Sequence, residues 1–162
     1  MYETRILTWE HAAAQRYTYR KIGMTLVMTN GVFDILHRGH VDYLAQASTF
    51  GRRLWIALNS DKSVGKIKGD KRPIVPFEDR AELLLSLKSV DGIISFDEET
   101  PELLYSKLLP DVLVKGADYK VEQVAGAKAV LAAGGKVELV ELVPERSTSG
   151  IVETILARYG KH

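Results

Sequence analysis

The chain reads as a single α/β domain built on a five-stranded parallel sheet with helices on both faces. Three observations predict this. Five short runs rich in Val, Ile and Leu are apolar throughout rather than alternating, the pattern of strands covered on both sides. Helical patterns separate them, which calls for right-handed βαβ crossovers. Polar clusters carrying Gly, Asn, Asp, His or Lys follow the strands, where open parallel sheets place ligands. With 162 residues, 46% of them hydrophobic, the chain can bury one substantial core.

The elements follow in order. Residues 1–23 form a lead-in helix, with Thr8 as a possible cap before Glu10-His11-Ala12-Ala13-Ala14. Strands run over Thr25–Thr29 and Leu54–Asn59, separated by a helix from Gly39 to Phe50 that Gly51 stops. Lys62–Pro76 is polar, contains Gly65, Gly69 and Pro73, and reads as a long loop. Phe77–Val90 carries Leu83, Leu84, Leu85 and Leu87 at helical spacing, and Gly92–Phe96 is a short strand. Thr100-Pro101-Glu102 opens a helix, Thr capping and Pro first inside, that runs to Leu109. Asp111–Lys115 is the fourth strand and Gln123–Ala133 a helix ended by Gly134-Gly135. Lys136–Leu142 is the fifth strand, and a final helix spans residues 147–159. No repeat or second domain interrupts residues 1–162.

Composition excludes several functions. Lys+Arg number 22 against 21 Asp+Glu, a net charge of +1, so nothing argues for a nucleic-acid partner. The absence of cysteine removes disulfides, thiolate catalysis and Cys-ligated zinc, and His11 and His162 are poor companions for a histidine metal site. Neither a signal peptide nor a membrane span is readable, so a cytoplasmic enzyme with no membrane partner is expected.

The most informative stretch is Thr29-Asn30-Gly31-Val32-Phe33-Asp34-Ile35-Leu36-His37-Arg38-Gly39-His40. An apolar strand enters a glycine turn, and a helix begins with two histidines three residues apart. Free N–H groups and the macrodipole make a helix N-terminus an anion site. Histidines at i and i+3 share a face and can reach one phosphate.

Residues 29–40 resemble the HxGH signature of the nucleotidyltransferase superfamily. Three further blocks make the chain similar to the adenylyltransferase domain of bacterial heptose-phosphate enzymes: Asn59-Ser60-Asp61 with Lys66-Ile67-Lys68-Gly69 and Arg72-Pro73, the run Leu113 to Lys120 followed by Val124-Ala125-Gly126-Ala127, and Arg146-Ser147-Thr148-Ser149. The resemblance spans residues 25–158 and implies a Rossmann-like nucleotidyltransferase fold. It also implies ATP as co-substrate with Mg2+, and transfer of AMP to heptose 1-phosphate, giving ADP-heptose and pyrophosphate for lipopolysaccharide core precursors. A cytidylyltransferase acting on glycerol 3-phosphate, or a nucleotide-binding regulator without catalysis, are the competing readings. A homodimer or higher assembly and a separate upstream heptose kinase complete the expectation.

The resemblance assigns roles by position. Thr29, Asn30 and the backbone of Gly31, Val32 and Phe33 cradle the nucleotide with Gly39, while His37 and His40 bind its phosphate oxygens. Lys66 and Lys68, with Lys62 possible, neutralise charge in transfer. Arg80 opens a helix at a position where the macrodipole disfavours a cation, which suits a guanidinium aimed at phosphate; an ion pair with Glu78 is the plain alternative. Lys115, Gly116, Arg146, Ser147, Thr148 and Ser149 complete the nucleotide site. The family pattern Gly-Arg-Ser-Thr-Thr is altered here to Glu145 and Ser149 at its ends. Asp34, Asn59, Asp61 and Asp118 are the candidates for substrate contacts.

Overall fold

The computed structural model describes residues 5–141 and 147–160. Strands β1 (Ile6–Leu7), β2 (Leu26–Gly31), β3 (Arg53–Asn59), β4 (Gly92–Phe96), β5 (Val112–Gly116) and β6 (Lys136–Val140) form one sheet in the order β1-β4-β3-β2-β5-β6. Every pairing is parallel. The sheet therefore has six strands rather than the five expected. The extra strand is two residues long, too short to show a period, and joins the edge through Ile6↔Ile93 and Leu7↔Ile94.

Helices α1 (Trp9–Lys21), α2 (Arg38–Ser48), α3 (Asp61–Lys68), α4 (Phe77–Leu85), α5 (Glu102–Leu108), α6 (Ala127–Ala132) and α7 (Thr148–Tyr159) occupy the connections and the C-terminal end. Alternate residues of each strand face opposite sides, so two cores result. Val27, Leu54, Ile56 and Leu58 pack with Leu44 of α2 and Leu84 of α4. Leu26, Met28, Trp55 and Ala57 pack with Ala12 of α1, Leu104 and Tyr105 of α5 and Val130 of α6. Covering both faces is why these strands are apolar at every position.

Other boundaries also depart from the sequence reading. The expected loop at Lys62–Pro76 contains α3, which Ser60 caps by accepting from the Ser63 N–H. The expected helix at Gln123–Ala133 is split: a 3-10 turn (Val121–Gln123) precedes Gly126, whose φ of 79° breaks any helix before α6 begins. Helix α5 starts one residue late, with Pro101 in the cap position and no side-chain cap. The last strand ends at Val140, and Leu142 lies outside the described residues.

The N-terminal segment is fastened to helix ends by arginines. Arg16, 4% exposed, donates to the Leu108 and Leu109 carbonyls at the end of α5 and forms a fork on Asp111 at 2.8 Å. Asp111 also accepts from the Leu26 N–H at 2.7 Å, so one carboxylate joins α1 to the start of β2. No described helix is long and apolar enough to cross a membrane. Arg16→Leu strands these acceptors and is expected to cost about 2–3 kcal/mol. Urea unfolding should show it as a lower midpoint at unchanged slope.

Candidate active site

The strand order reverses between β2 and β5, because β3 follows β2 on one side and β5 flanks it on the other. A cleft of about 300 Å³ opens at this switch point. The Gly31 loop forms its floor, with β5's Lys115 and Gly116 on one side and Ser147 and Thr148 of α7 on the other.

The floor is strained. Phe33 holds φ at 48°, a left-handed conformation that costs a non-glycine residue about 1–2 kcal/mol. A Cβ on Gly31 would lie 2.7 Å from the Phe33 ring, so glycine lets this ring fold under the loop. The ring then meets His40 edge-on at 5.0 Å.

His37 is the N-cap of α2 and His40 lies in its first turn. Their rings stack with centroids 3.7 Å apart. Burial, and then the neighbouring His37, push His40 down to about 4, so it is neutral at pH 7. Its buried Nδ1 finds no hydrogen-bond partner among the described residues. Such an atom is costly until a ligand satisfies it.

Two helix N-termini converge here, and neither α2 nor α7 has an acidic residue in its first turn. Of the other helices, α1, α3, α4 and α5 carry at least one and α6 carries none. The positive ends of α2 and α7 are therefore left for an anion. A second cleft of about 350 Å³ runs between these two helices and shares His37 and Ser147 with the first.

Lys115 donates to Asn30 Oδ1 at 3.0 Å and lies over the Tyr119 ring at 5.0 Å. Desolvation lowers its pKa, and Asp118 partly restores it. No carboxylate lies within 4 Å of it among the described residues. Thr29 is buried beneath the floor, where its hydroxyl bonds Tyr43 Oη at 2.7 Å; Tyr43 donates to the Val114 carbonyl and bridges β2 to β5.

Of the residues singled out from sequence, Asn30, Gly31, Val32, Phe33, His37, Gly39, His40, Lys115, Gly116, Asp118, Ser147 and Thr148 meet in the cleft. Ser149 is exposed in the first turn of α7, and Arg146 lies outside the described residues. The rest are placed elsewhere. Arg80 is 1% exposed, and its guanidinium is spent on the Val75, Val32 and Asn59 carbonyls and on Asp61. It is turned into the protein and pairs with Asp61 rather than Glu78. Asp61 is thereby its counter-ion, while buried Asn59 donates to Ser63. Asp34 accepts from the Ile74 and Val75 N–H groups at 2.8 Å and pairs with Arg72. Burial opposes its charge, but these donors prevail and hold its carboxyl below the usual range. Lys66 and Lys68 sit exposed in the last turn of α3, and Lys66 donates to the Asp97 carbonyl. Tyr43 and Tyr119 line the cleft without having been assigned to it; an aromatic at helical spacing signals core first.

Comparison with known proteins agrees with this geometry. Residues 28–154 match the family described as cytidylyltransferase-like. The chain is 54% identical over 137 residues, 85% of its length, to bifunctional protein HldE of Granulibacter bethesdensis. It is 46% identical over 154 residues, 95% of its length, to bifunctional protein HldE of Magnetococcus marinus. It spans only 28% and 32% of these relatives. A crystal structure of the lipopolysaccharide core biosynthesis protein from Thermoplasma volcanium superposes with a TM-score of 0.60 at 32% identity, over 75% of this chain and 98% of that one.

The depressed His40 titration has a consequence for stability. Between about pH 6.5 and pH 4 the unfolded chain holds a proton on this residue that the folded chain lacks. Stability is therefore expected to be full above pH 6.5 and to fall by as much as about 3 kcal/mol as pH drops to 4. His40→Gln should flatten that slope in urea titrations repeated across the window.

Proposed function

Since this chain belongs to the cytidylyltransferase-like family, we propose that it is a nucleotidyltransferase moving AMP from ATP to a sugar 1-phosphate. The acceptor is heptose 1-phosphate and the products are ADP-heptose and pyrophosphate. The observation that carries the reading is the stacked His37–His40 pair lying between two helix N-termini that bear no acidic residue. The likeness to bifunctional protein HldE and to a lipopolysaccharide core biosynthesis protein supports a sugar-phosphate acceptor over a polyol phosphate.

The α-phosphate rests on the Gly31–Phe33 backbone. A phosphate oxygen of the acceptor attacks the α-phosphorus, and the bond from that phosphorus to the oxygen leading to the β-phosphate breaks. Both electrons of that bond leave with pyrophosphate. No covalent enzyme intermediate is needed, because this chemistry asks for alignment and charge neutralisation. His37 and His40 donate to oxygens on which charge builds. Lys115 and the first turns of α2 and α7, with Arg146, Ser147, Thr148 and Ser149, hold the triphosphate. Lys66 and Lys68 are assigned to the acceptor phosphate. Asp34, Asn59, Asp61 and Arg80 keep the walls in place.

Among the described residues no three His, Asp or Glu side chains cluster as a metal cage. Magnesium fits as a companion of the triphosphate, which supplies most of its ligands. Asp118, the carboxylate among the cleft-lining residues, would hold it. Bound there, the ion supplies neutralisation of the departing pyrophosphate.

Pyrophosphate release is expected with ATP and heptose 1-phosphate and not with CTP and glycerol 3-phosphate. Release with the latter pair alone would move the chain to a cytidylyltransferase. ATP binding without release from any pair would leave a regulator. His40→Ala is expected to lower kcat at least about 100-fold, the usual loss when a transition-state donor is removed. A loss under tenfold would sink the histidine role.

A further inference from the structure

Tyr105 is a fully buried hydroxyl-bearing side chain that this mechanism leaves unused. It sits on α5, is 0% exposed, and its hydroxyl donates to Asn30 Oδ1 at 3.3 Å. The same oxygen accepts from Lys115 Nζ at 3.0 Å. An ammonium only donates, so the side of Asn30 facing Lys115 must be the carbonyl, an assignment that is otherwise ambiguous for an amide. Burial pushes the phenol well above its ordinary value, so it stays protonated and remains a donor.

With two donors on Oδ1, the Asn30 amide group Nδ2 is left for the cleft that this residue lines. It makes no hydrogen bond among the described residues. The cleft floor thus offers two adjacent donors, Nδ2 of Asn30 and Nζ of Lys115, and no acceptor from either side chain. Tyr105 is itself held from behind. Gly126 has φ at 79°, and a Cβ there would lie 2.7 Å from Tyr105 Cβ. The Val124-Ala125-Gly126-Ala127 block is thereby tied to a cleft that its own side chains do not line.

Resting on the nucleotidyl-transfer reading, we infer that Tyr105 is a positioning residue. Its hydroxyl fixes the Asn30 amide so that Nδ2 and Lys115 together grip one phosphate of the nucleotide.

A double-mutant cycle tests this. Binding of inorganic tripolyphosphate is measured by calorimetry for the wild-type protein, Tyr105→Phe, Asn30→Ala and the double variant. Turnover of ATP with heptose 1-phosphate and the unfolding midpoint are followed in parallel. Tyr105→Phe keeps the ring and is expected to weaken tripolyphosphate about three- to tenfold, the range of one hydrogen bond, raising KM for ATP more than it lowers kcat. Asn30→Ala should weaken it further, and the double variant should bind no worse than Asn30→Ala, because the hydroxyl acts only through the amide. Asn30→Asp keeps an oxygen for both donors but has no NH2, and should bind tripolyphosphate worst of all.

Additive losses, wild-type binding by Tyr105→Phe, an Asn30→Asp protein that binds normally, or tripolyphosphate ignored by every variant would each overturn the role. A midpoint lowered with binding unchanged would make Tyr105 packing alone. A wild-type protein that turns over no substrate pair, yet shows the coupled tripolyphosphate cycle, would remove the nucleotidyl-transfer reading and leave Tyr105 its role in anion binding.

Discussion

The guanidinium of Arg80 is the interaction on which the rest of the cleft depends. A buried charge is tolerable only when hydrogen-bonded and paired, and here each bond joins a different segment. The carbonyl of Val32 belongs to the glycine loop, that of Asn59 to the end of β3, and that of Val75 to the approach to α4; Asp61 opens α3. Val32 immediately precedes the left-handed Phe33, so Arg80 holds the chain at the point where strain is stored. The same cation lies beneath the loop on which an anion is proposed to rest. A residue whose guanidinium is bonded to the protein's own carbonyls and to Asp61 can thus shape both the geometry and the potential of that loop.

Asp34 does the complementary work. Its two backbone donors, Ile74 and Val75, and its pairing with Arg72 lash the segment before α4 to the glycine loop. Arg80 reaches the same segment from the other side through the Val75 carbonyl. Opposite charges therefore clamp one stretch of chain between them. Asp34 belongs to a signature block and Arg80 to the helix that follows another, and the bonds of both join the glycine loop to its neighbours.

This explains how far the sequence could be read. The strand, glycine turn and histidine helix of residues 26–48 are one continuous βα unit, so linear order carried their geometry. Lys115 and Gly116 end a strand whose apolar run was plain. Arg80 and Asp34 were assigned to ligands because all their partners but Val75 of Arg80 lie 19 to 48 residues away in sequence, and burial of a charge leaves no local signal. Helix α3 was hidden by its polar composition and by Gly65, and strand β1 by its length. Tyr105 was not singled out, because everything about it except its hydroxyl is core.

The charged groups of the described fold divide on one criterion. Arg16, Asp34 and Arg80, the charged residues buried most deeply, all have an opposite charge in contact. Lys115 has a neutral amide oxygen and a ring face in contact, with Asp118 acting on it from beyond ion-pair distance. His40 surrenders its charge to burial and keeps an unanswered nitrogen. The first turns of α2 and α7 lack the acids that most of the other helices carry. Paired charges elsewhere and unanswered donors here set the cleft apart, since folding by itself would favour a carboxylate in contact with Lys115. What would settle all these deficits at once is a ligand bearing several negative oxygens. Such a ligand would answer these donors together, and most fully as charge develops on its oxygens.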